Sequence, residues 1–182
     1  MNALIKKQIL FIIIWLSNLV TNFLPFFRLK NAFMRFQGAK IGQSVSIHTP
    51  VKFFGLYRNL FVGDNVTVNP NCYLDDRGSI YLGNNVNISH SVRIYTAGHD
   101  IRTEDMAYFE RSVSIGDDVW IFPNVIIMPG VKLSERCIVL PGSVVTKSFG
   151  SGSIIGGNPA TVISTRTADV NYKIEHGFWF VN

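Results

Sequence analysis

The feature that most constrains this chain is an aliphatic residue that recurs about every six positions. The clearest run of this series is Ile115, Ile121, Ile127, Leu133, Val139 and Val145. A period of six fits neither the 3.6-residue period of a helix nor the two-residue alternation of a strand. It fits a short strand plus a tight turn, three of which make an 18-residue coil of a prism. Because one coil cannot bury its aliphatic side chains alone, the coils must stack.

A second motif repeats within the same region. Segments of the form aliphatic-Gly-x-(Ser/Asn/Asp)-Val begin at Ile41, Val62, Leu82 and Ile115, with a degenerate copy at Leu133. Gly, Asn and Asp suit the left-handed backbone of tight turns, and Asn124, Gly130 and Gly142 stand at turn positions of the hexads. The two patterns together predict an all-β solenoid over residues 41–163, with room for about six coils.

These motifs resemble the hexapeptide-repeat acyltransferases, most closely the branch with maltose, galactoside and polysaccharide O-acetyltransferases. The resemblance implies a left-handed parallel β-helix, acetyl-CoA as the acyl donor, and a homotrimer with active sites between neighbouring subunits. We therefore predict a helical segment over residues 1–40, an acyltransferase domain over 41–163 and a short tail over 164–182.

The hexads break once, between residues 100 and 112, where a loop leaves the solenoid. His99 stands at the start of this loop, directly after Gly98. A neutral imidazole can remove the proton of a hydroxyl that attacks a thioester at physiological pH. The segment Thr-Ala-Gly-His also matches the Gly-His of the galactoside and maltose enzymes. The resemblance therefore implies that His99 is the catalytic base.

Polar residues one coil before His99 are candidates for binding the acceptor. The resemblance implies that Asn69 and Asp76 hold the sugar hydroxyls, because amide and carboxylate groups accept hydrogen bonds from hydroxyls. The spacing differs by about one residue from that of the family, so Asn71 and Asp75 remain alternatives. All four residues could equally be turn residues of the prism.

The donor site is expected on the C-terminal coils. The residues that the resemblance places near coenzyme A are Trp120, Pro141, Gly142, Thr146 and Lys147. Trp120 fits core packing equally well, whereas Lys147 could meet phosphate as a point charge. Thr161 and Ser164 occupy positions where the family often carries arginines, which leaves Arg166 as a candidate for the nucleotide.

The remaining histidines and the two cysteines predict no metal site. His48, His90 and His176 are expected on solvated positions, and no His-x-x-x-x-His spacing occurs in the chain. Cys72 and Cys137 lie far apart in the sequence and are expected to be unpaired thiols in the core.

The first forty residues differ in charge from the rest of the chain. They contain six basic residues, Lys6, Lys7, Arg28, Lys30, Arg35 and Lys40, and no acidic residue. The other residues carry 11 basic and 12 acidic side chains, so the basic pI of 9.4 belongs to the N-terminal segment. A nucleic-acid-binding protein would spread basic residues over its folded surface, so we exclude nucleic acid as a partner.

Residues 9–27 form an apolar run that predicts a helix ending near Pro25. The polar positions Ser17, Asn18, Thr21 and Asn22 form one stripe of that helix. No small-residue cleavage site of a signal peptide follows the run. A spanning helix, and a helix that buries its apolar face on the domain or at an oligomer contact, remain alternatives. Because basic residues flank both ends, we favour a helix in the membrane interface and predict membrane contact through residues 1–30.

The sequence thus predicts an acetyl-CoA-dependent O-acetyltransferase that acts on a sugar. The expected acceptor is a cell-envelope polysaccharide or its lipid-linked precursor, and the expected location is cytoplasmic, peripheral to the inner membrane. The same fold also carries N-acyltransferases of aminosugars and metal hydro-lyases of the carbonic anhydrase type. A catalytically silent solenoid that binds glycan or membrane is a further alternative.

Overall fold

Two helices precede a stack of short strands in the computed structural model, which describes residues 2–175. Helix α1 spans Ala3–Phe23 and helix α2 spans Phe27–Phe36, with Pro25 between them as predicted. The strands, in chain order, are β1 (Lys40–Ile41), β2 (Ser46–Ile47), β3 (Val51–Phe53), β4 (Leu60–Val62), β5 (Thr67–Val68), β6 (Cys72–Leu74), β7 (Ile80–Leu82), β8 (Asn87–Ile88), β9 (Arg93–Ile94), β10 (Ala97–His99), β11 (Tyr108–Glu110), β12 (Val113–Ile115), β13 (Trp120–Ile121), β14 (Ile126–Ile127), β15 (Lys132–Leu133), β16 (Ile138–Val139), β17 (Val144–Val145), β18 (Ser153–Gly157) and β19 (Ala160–Thr165).

The strands stack into three faces of a prism, with parallel pairing from coil to coil. Face A contains β1, β4, β7, β12 and β15; face B contains β2, β5, β8, β13, β16, β18 and β19; face C contains β3, β6, β9, β14 and β17. We number the coils 1 (40–59), 2 (60–79), 3 (80–112), 4 (113–131) and 5 (132–148), and an incomplete sixth coil follows. Within the three faces, the last pair on face B, β18 and β19, is antiparallel, and so are β10 and β11, which lie outside the faces. The predicted solenoid of about six coils is therefore confirmed.

The predicted hexad forms the core of the prism. Its six aliphatic residues from Ile115 to Val145 are each at most 2% exposed. Cys72 and Cys137 are buried and unpaired, as predicted. Burial raises the pKa of the Cys72 thiol to about 11, so this group stays a protonated, apolar core residue.

The turn residues have the backbone conformation that their chemistry predicted. Asn65, Asn85 and Asn124 adopt φ values of 57°, 56° and 60°, in the left-handed region that asparagine tolerates. Glycine is needed at position 63 for a different reason: a Cβ atom there would lie 2.7 Å from the carbonyl group of Gly83 in the next coil. Glycine at this edge lets successive coils approach to hydrogen-bonding distance.

Helix α1 docks beneath coil 1 through its polar stripe. The side-chain amides of Asn18 and Asn22 each donate to and accept from the backbone of β3, at Phe53 and Val51 respectively, with distances of 2.8–2.9 Å. Four helical residues advance about 6 Å and two strand residues about 6.6 Å, so the two asparagines match the strand repeat. They replace the neighbouring strand that β3 lacks on this side.

Side chains of helix α2 likewise form hydrogen bonds with the backbone of coil 1 in and around β1 and β2. The Lys30 ammonium group is fully buried and donates to the carbonyl oxygen of Ile47, and Asn31 donates to that of Val45, both at 2.8 Å. Arg35 donates to the carbonyl oxygens of Ile41 and Gly42. Polar side chains of both helices thereby satisfy backbone groups at the open end of the stack.

Most apolar side chains of the helices are exposed, although Phe27 and Met34 of α2 are buried. We call this exposed set the basal surface: Leu4, Ile5, Ile9, Leu10, Phe11, Ile12, Ile13, Trp15, Leu16, Leu19, Val20, Phe23, Phe26, Leu29 and Phe36. The predicted polar stripe exists, but it faces the protein. Within residues 2–175, the alternative in which the helix buries its apolar face on the domain is wrong. By length and composition alone α1 could also cross a bilayer, which is weak evidence for a span.

The two asparagines of α1 are expected to stabilise the fold. Asn18→Leu leaves an N–H and a C=O group of β3 without partners, so we expect a loss of about 1–3 kcal/mol in the free energy of unfolding. Leu16→Ala on the exposed side of the same helix should change it by less than about 0.5 kcal/mol. Denaturant unfolding measures both, and a neutral Asn18→Leu would contradict the docking role.

The buried lysine of α2 predicts a pH-dependent stability. Burial lowers the pKa of Lys30 from 10.5 to about 8. Between about pH 8 and 10.5 the unfolded chain therefore holds a proton that the folded chain has lost, and the contribution of this group to stability rises with pH.

We expect the free energy of unfolding of the wild type, minus that of Lys30→Met, to increase as the pH rises from 8 to 10. Because both proteins contain Cys72 and Tyr57, the titration of those groups cancels in the difference. A difference that stays constant over this range would show that Lys30 keeps its ordinary pKa.

Candidate active site

The break in the hexads folds into a β-hairpin at the edge between faces C and A. Strands β10 and β11 pair antiparallel, with His99 opposite Tyr108 and Gly98 opposite Phe109. A Cβ atom on Gly98 would lie 3.1 Å from the Phe109 ring, so glycine lets the hairpin close at this point. The hairpin holds His99 in an exposed position on coil 3.

The hairpin also fixes the orientation of the imidazole. His99 Nδ1 lies 2.6 Å from the carbonyl oxygen of Met106. A carbonyl oxygen can only accept a hydrogen bond, so Nδ1 carries a proton and the lone pair of the neutral imidazole lies on Nε2. The Tyr108 ring packs edge-on against the imidazole at a centroid distance of 5.7 Å. These contacts fix the tautomer of the neutral imidazole.

An ion pair between Arg77 and the buried Asp75 lies on the same edge, one coil below. Asp75 is fully buried and accepts two hydrogen bonds of 2.8 Å from the guanidinium group of Arg77. These bonds raise the pKa of Arg77. The guanidinium group stacks over Phe54 at 4.4 Å and lies 5.8 Å from the Tyr108 ring centroid. Arg77 thus presents a fixed positive charge beside the hairpin.

Sequence reasoning missed Arg77. The only signal was its position two residues after Asp75, which a salt bridge across a turn would explain. This spacing is a weak signal, because acidic and basic residues lie close together in many turns. The structure places Arg77, rather than either neighbouring carboxylate, as the accessible polar group of this turn.

Asp76, which the sequence predicts to bind the acceptor, is buried and bonded to the backbone of the preceding turn. Its side chain is 2% exposed, and its two oxygens accept from the backbone N–H groups of Gly55 and Tyr57 at 2.5 and 2.8 Å. Burial raises the pKa of this carboxyl group above its ordinary value, against the lowering by the backbone hydrogen bonds. The carboxylate closes the turn between coils 1 and 2 and does not reach the surface.

Asn69 lies at a different edge, between faces B and C on coil 2. Its amide nitrogen donates to the carbonyl oxygen of Ile88 at 2.9 Å, and the side chain is half-buried. Asn71 on the same edge is exposed with a φ of 63°, as expected of a turn residue. Of the two predicted acceptor-binding residues, only Asn69 keeps access to the surface, but it does not share an edge with His99.

The predicted donor-side residues also divide between two edges. Thr146 and Lys147 are exposed on coil 5, on the edge that carries His99, and the Lys147 ammonium group lies 5.7 Å from the Phe149 ring centroid. Pro141 and Gly142 are exposed on the edge that carries Asn69. Gly142 has a φ of 70°, and no atom lies within 4 Å of a Cβ built there, so this turn faces open space.

Trp120 lies on face B, half-buried under the C-terminal segment. Tyr172 packs edge-on against the indole at 5.7 Å, and the indole N–H has no hydrogen-bond partner among the described residues. Asn85 holds the segment in place by bonding the backbone of Tyr172 and Ile174. Arg166 stacks on Tyr172 at 5.6 Å and so lies on this side of the prism, away from Lys147.

The other histidines take different positions. His90 is exposed, as predicted. The prediction for His48 is wrong, because it is 7% exposed and packs edge-on against Phe27 of α2 at 4.9 Å. His176 and the aromatic residues after it lie outside the described residues. Between residues 2 and 175, no three His, Cys, Asp or Glu side chains come together in a group that could hold a metal ion.

The contrast between Asp76 and Asn69 predicts opposite phenotypes. Asp76→Asn turns an accepting oxygen into an amide N–H₂ that faces a backbone donor, so we expect a loss of about 1–3 kcal/mol in the free energy of unfolding. The KM for a sugar acceptor should stay unchanged. Asn69→Ala is the matched variant and should raise that KM with little loss of stability. Unfolding and steady-state kinetics of both variants check this, and a stable Asp76→Asn with a raised KM would contradict it.

Comparisons with known proteins agree with this architecture. A family model described as bacterial transferase hexapeptide (six repeats) matches residues 112–147. A protein of Escherichia coli K12, provisionally named colanic acid biosynthesis acetyltransferase WcaF, is 31% identical over 140 residues, which cover 77% of this chain and 76% of that protein. A provisionally named acetyltransferase of Saccharomyces cerevisiae is 38% identical over 108 residues, 58% of this chain, and the match spans about half of that protein (55%).

Two solved structures share the fold over most of the chain. A maltose O-acetyltransferase from Clostridium difficile 630 superposes with a TM-score of 0.81 and 26% identity, covering 92% of this chain and 90% of that one. A hexapeptide-repeat acetyltransferase from Vibrio cholerae, complexed with acetyl-CoA, superposes with a TM-score of 0.79 and 26% identity, covering 85% and 86%. This chain therefore belongs to the hexapeptide-repeat acyltransferases, and its solenoid is a left-handed parallel β-helix.

Proposed function

We propose that this protein is an acetyl-CoA-dependent O-acetyltransferase that acts on a sugar hydroxyl. The observation that carries the proposal is the exposed His99 imidazole, whose Nδ1 atom is held by the Met106 carbonyl oxygen. Thr146 and Lys147 lie on the same edge two coils further along, about 10 Å at the spacing of paired strands. The similar enzymes include one named a maltose O-acetyltransferase and one solved with acetyl-CoA.

The proposed reaction is a direct transfer. His99 Nε2 takes the proton of the acceptor hydroxyl while its oxygen attacks the carbonyl carbon of the thioester. The carbon–sulfur bond then breaks, and the leaving thiolate of coenzyme A receives the proton from the imidazolium. Backbone N–H groups are the expected donors to the oxyanion. The products are an acetyl ester of the sugar and free coenzyme A.

The side chains near His99 suit a sugar acceptor. The ring of Tyr108 provides an aromatic surface beside the imidazole, and the fixed guanidinium group of Arg77 offers donors toward hydroxyl or anionic groups. On the donor side, Lys147 is exposed and could pair with a phosphate of coenzyme A. The proposed acceptor contacts of Tyr108 and Arg77 and the proposed phosphate contact of Lys147 all lie on the edge between faces C and A.

We also propose that the working unit is a homotrimer with sites shared between copies. Within one chain His99, Thr146 and Lys147 lie on one edge, whereas Asn69, Pro141 and Gly142 lie on another and Trp120 lies on face B. A prism face separates the two edges, so one copy cannot bring both sets around one substrate. A neighbouring copy that turns its second edge toward the first would complete the site.

The proposed acceptor is a cell-envelope polysaccharide or its lipid-linked precursor, reached at the cytoplasmic side of the inner membrane. The support is the basal surface, which leaves the apolar side chains of α1 uncovered by the rest of the described chain. Of the basic residues in the first forty positions, Lys6, Lys7 and Arg28 are exposed and suit anionic lipids. The colanic acid name of one relative points to the same class of acceptor.

The experiment that tests this function is an acetyl-transfer assay with acetyl-CoA and a panel of acceptors. The panel contains maltose, glucosamine and a lipid-linked glycan, and mass spectrometry reads out the product. We expect an ester on the glycan. An amide on glucosamine as the main product would replace O-transfer by N-transfer, and acetylated free maltose with no preference for the lipid-linked glycan would overturn the envelope acceptor.

Removing the base is expected to stop catalysis without unfolding the protein. His99→Ala should lower kcat by about 10²–10⁴-fold, because that is the usual contribution of a positioned general base. Gln43→Ala, exposed on the third edge between faces A and B, is the control and should keep the wild-type kcat. Steady-state kinetics measures both, and equal rates for wild type and His99→Ala would remove His99 from the mechanism.

A further inference from the structure

The outward side chains of face A form one column along the prism. The pairing of the strands places them in register, in the order Lys40, Phe61, Tyr81, Ser114 and Lys132. Neighbouring members belong to successive coils and therefore lie about 4.8 Å apart. The column borders the edge that carries His99, but the reaction proposed above uses none of its members.

The first three members of the column stack on one another. The rings of Phe61 and Tyr81 lie at a centroid distance of 4.7 Å and an interplanar angle of 19°. This distance equals the spacing of paired strands, so the rings lie flat on each other along the prism axis. The Lys40 ammonium group lies 5.3 Å from the centroid of Phe61 and covers its other face. Within the described residues, the Tyr81 ring thus has a ring or cation partner on one face only.

The column has a gap at Ser114, whose short side chain leaves the second face of the Tyr81 ring uncovered. Ser114 pairs with Tyr81 on one side and with Lys132 on the other. Tyr81 and Lys132 are therefore two strand spacings apart, about 9–10 Å. One further ring fits between them at the distance at which Phe61 and Tyr81 stack. We call this gap, between Tyr81, Ser114 and Lys132, the face A slot.

The slot combines an aromatic surface with polar groups that have no protein partner. Tyr81 is 42% exposed, and neither its hydroxyl group nor that of Ser114 bonds to another residue of the described range. The Lys132 ammonium group is exposed and likewise unpaired within residues 2–175. A pyranose ring matches this set, because its apolar C–H groups pack on the negative face of an aromatic ring while its hydroxyl groups form hydrogen bonds.

The slot lies close enough to His99 for one acceptor chain to reach both. The backbone N–H of Arg111 donates to the carbonyl oxygen of Thr96 and closes the base of the hairpin. His99 follows Thr96 by three residues, and Ser114 follows Arg111 by three. The slot and the imidazole are therefore on the order of 10–20 Å apart, which is farther than one sugar ring extends.

Face A also stays accessible in the proposed trimer. The two edges that would meet neighbouring copies both border face C, so face C turns toward the three-fold axis and face A toward solvent. A glycan can then lie in the slot from the solvent side while another of its residues enters the site between copies.

We propose that the face A slot binds one sugar residue of an oligosaccharide or polysaccharide acceptor while His99 acts on another residue of the same chain. The bound ring stacks on Tyr81, and its hydroxyl groups bond to Ser114 and Lys132. The inference rests on the proposed function and deepens it, because the length of the acceptor becomes a determinant of its binding. A short sugar occupies one of the two positions only and binds more weakly.

The test measures the affinity of the purified full-length protein for sugars of increasing length. The probes are maltose and maltoheptaose, together with size-fractionated oligosaccharides of colanic acid, the polysaccharide in the name of one relative. Isothermal titration without acetyl-CoA gives the dissociation constants. In at least one series we expect the longest sugar to bind at least about tenfold more tightly than the shortest. Equal affinity at all lengths in both series, or no binding in either, would overturn the proposal.

Variants of the slot test its location. Ser114→Phe continues the stack of rings into the gap, whereas Ser114→Ala leaves the gap open and is the matched control. We expect Ser114→Phe to bind the long sugar at least about tenfold more weakly and the short one as before, and Ser114→Ala to stay within about threefold of the wild type. Tyr81→Ala removes the aromatic surface and should lose as much as Ser114→Phe. Circular dichroism confirms folding, and wild-type affinity of either folded variant for the long sugar would overturn the proposal.

Two further measurements keep the outcomes distinct. Acetyl transfer to the tested sugars without any dependence on their length would overturn the slot and leave the proposed enzyme intact. Length-dependent binding that Ser114→Phe removes, without acetyl transfer, would support the slot and count against the proposed enzyme. Titration of acetyl-CoA should give the same affinity for Ser114→Phe as for the wild type. A loss of acetyl-CoA affinity would assign the slot to the adenine of the donor and overturn the proposal.

Discussion

The inner coils of this solenoid form backbone hydrogen bonds with a coil on either side. The first coil has a neighbouring coil on one side only, so its other side needs different hydrogen-bond partners. The side chains of two helices provide them. Asn18 and Asn22 reproduce the pairing of a missing strand for β3, while Lys30 and Asn31 serve the carbonyl groups at Ile47 and Val45. Unpaired backbone groups are costly when buried, so this requirement decides which face of each helix turns inward.

The orientation of the helices follows from that requirement and sets the character of the whole end of the molecule. Because the polar stripe of α1 faces the protein, its apolar side chains are exposed, which is the reverse of an ordinary surface helix. The basal surface and the exposed basic residues Lys6, Lys7 and Arg28 are therefore parts of one end of the prism. His99 lies on coil 3, about 10 Å along the axis from coil 1. A membrane-bound acceptor would need to extend only a short distance from the lipid to meet it.

The solenoid could be predicted from the sequence because its signal is periodic and local. The buried hexad from Ile115 to Val145 and the left-handed turn residues follow directly from side-chain chemistry. His99 could be singled out because it stands where the repeat stops, and its catalytic role stays a prediction. The backbone contacts of Asp76 could not be predicted, because a carboxylate that closes a turn and one that binds a sugar look the same in a sequence. His48 was missed because α2 covers a position that would otherwise be solvated.

The central claim is that the edge of the prism bearing His99, Thr146 and Lys147 receives acetyl-CoA. Isothermal titration of acetyl-CoA into the wild-type protein and Lys147→Ala tests it most directly. The account predicts binding to the wild type at about micromolar strength and at least tenfold weaker binding to the variant, which corresponds to about 1.4 kcal/mol. Absence of any binding to the wild type would contradict the account.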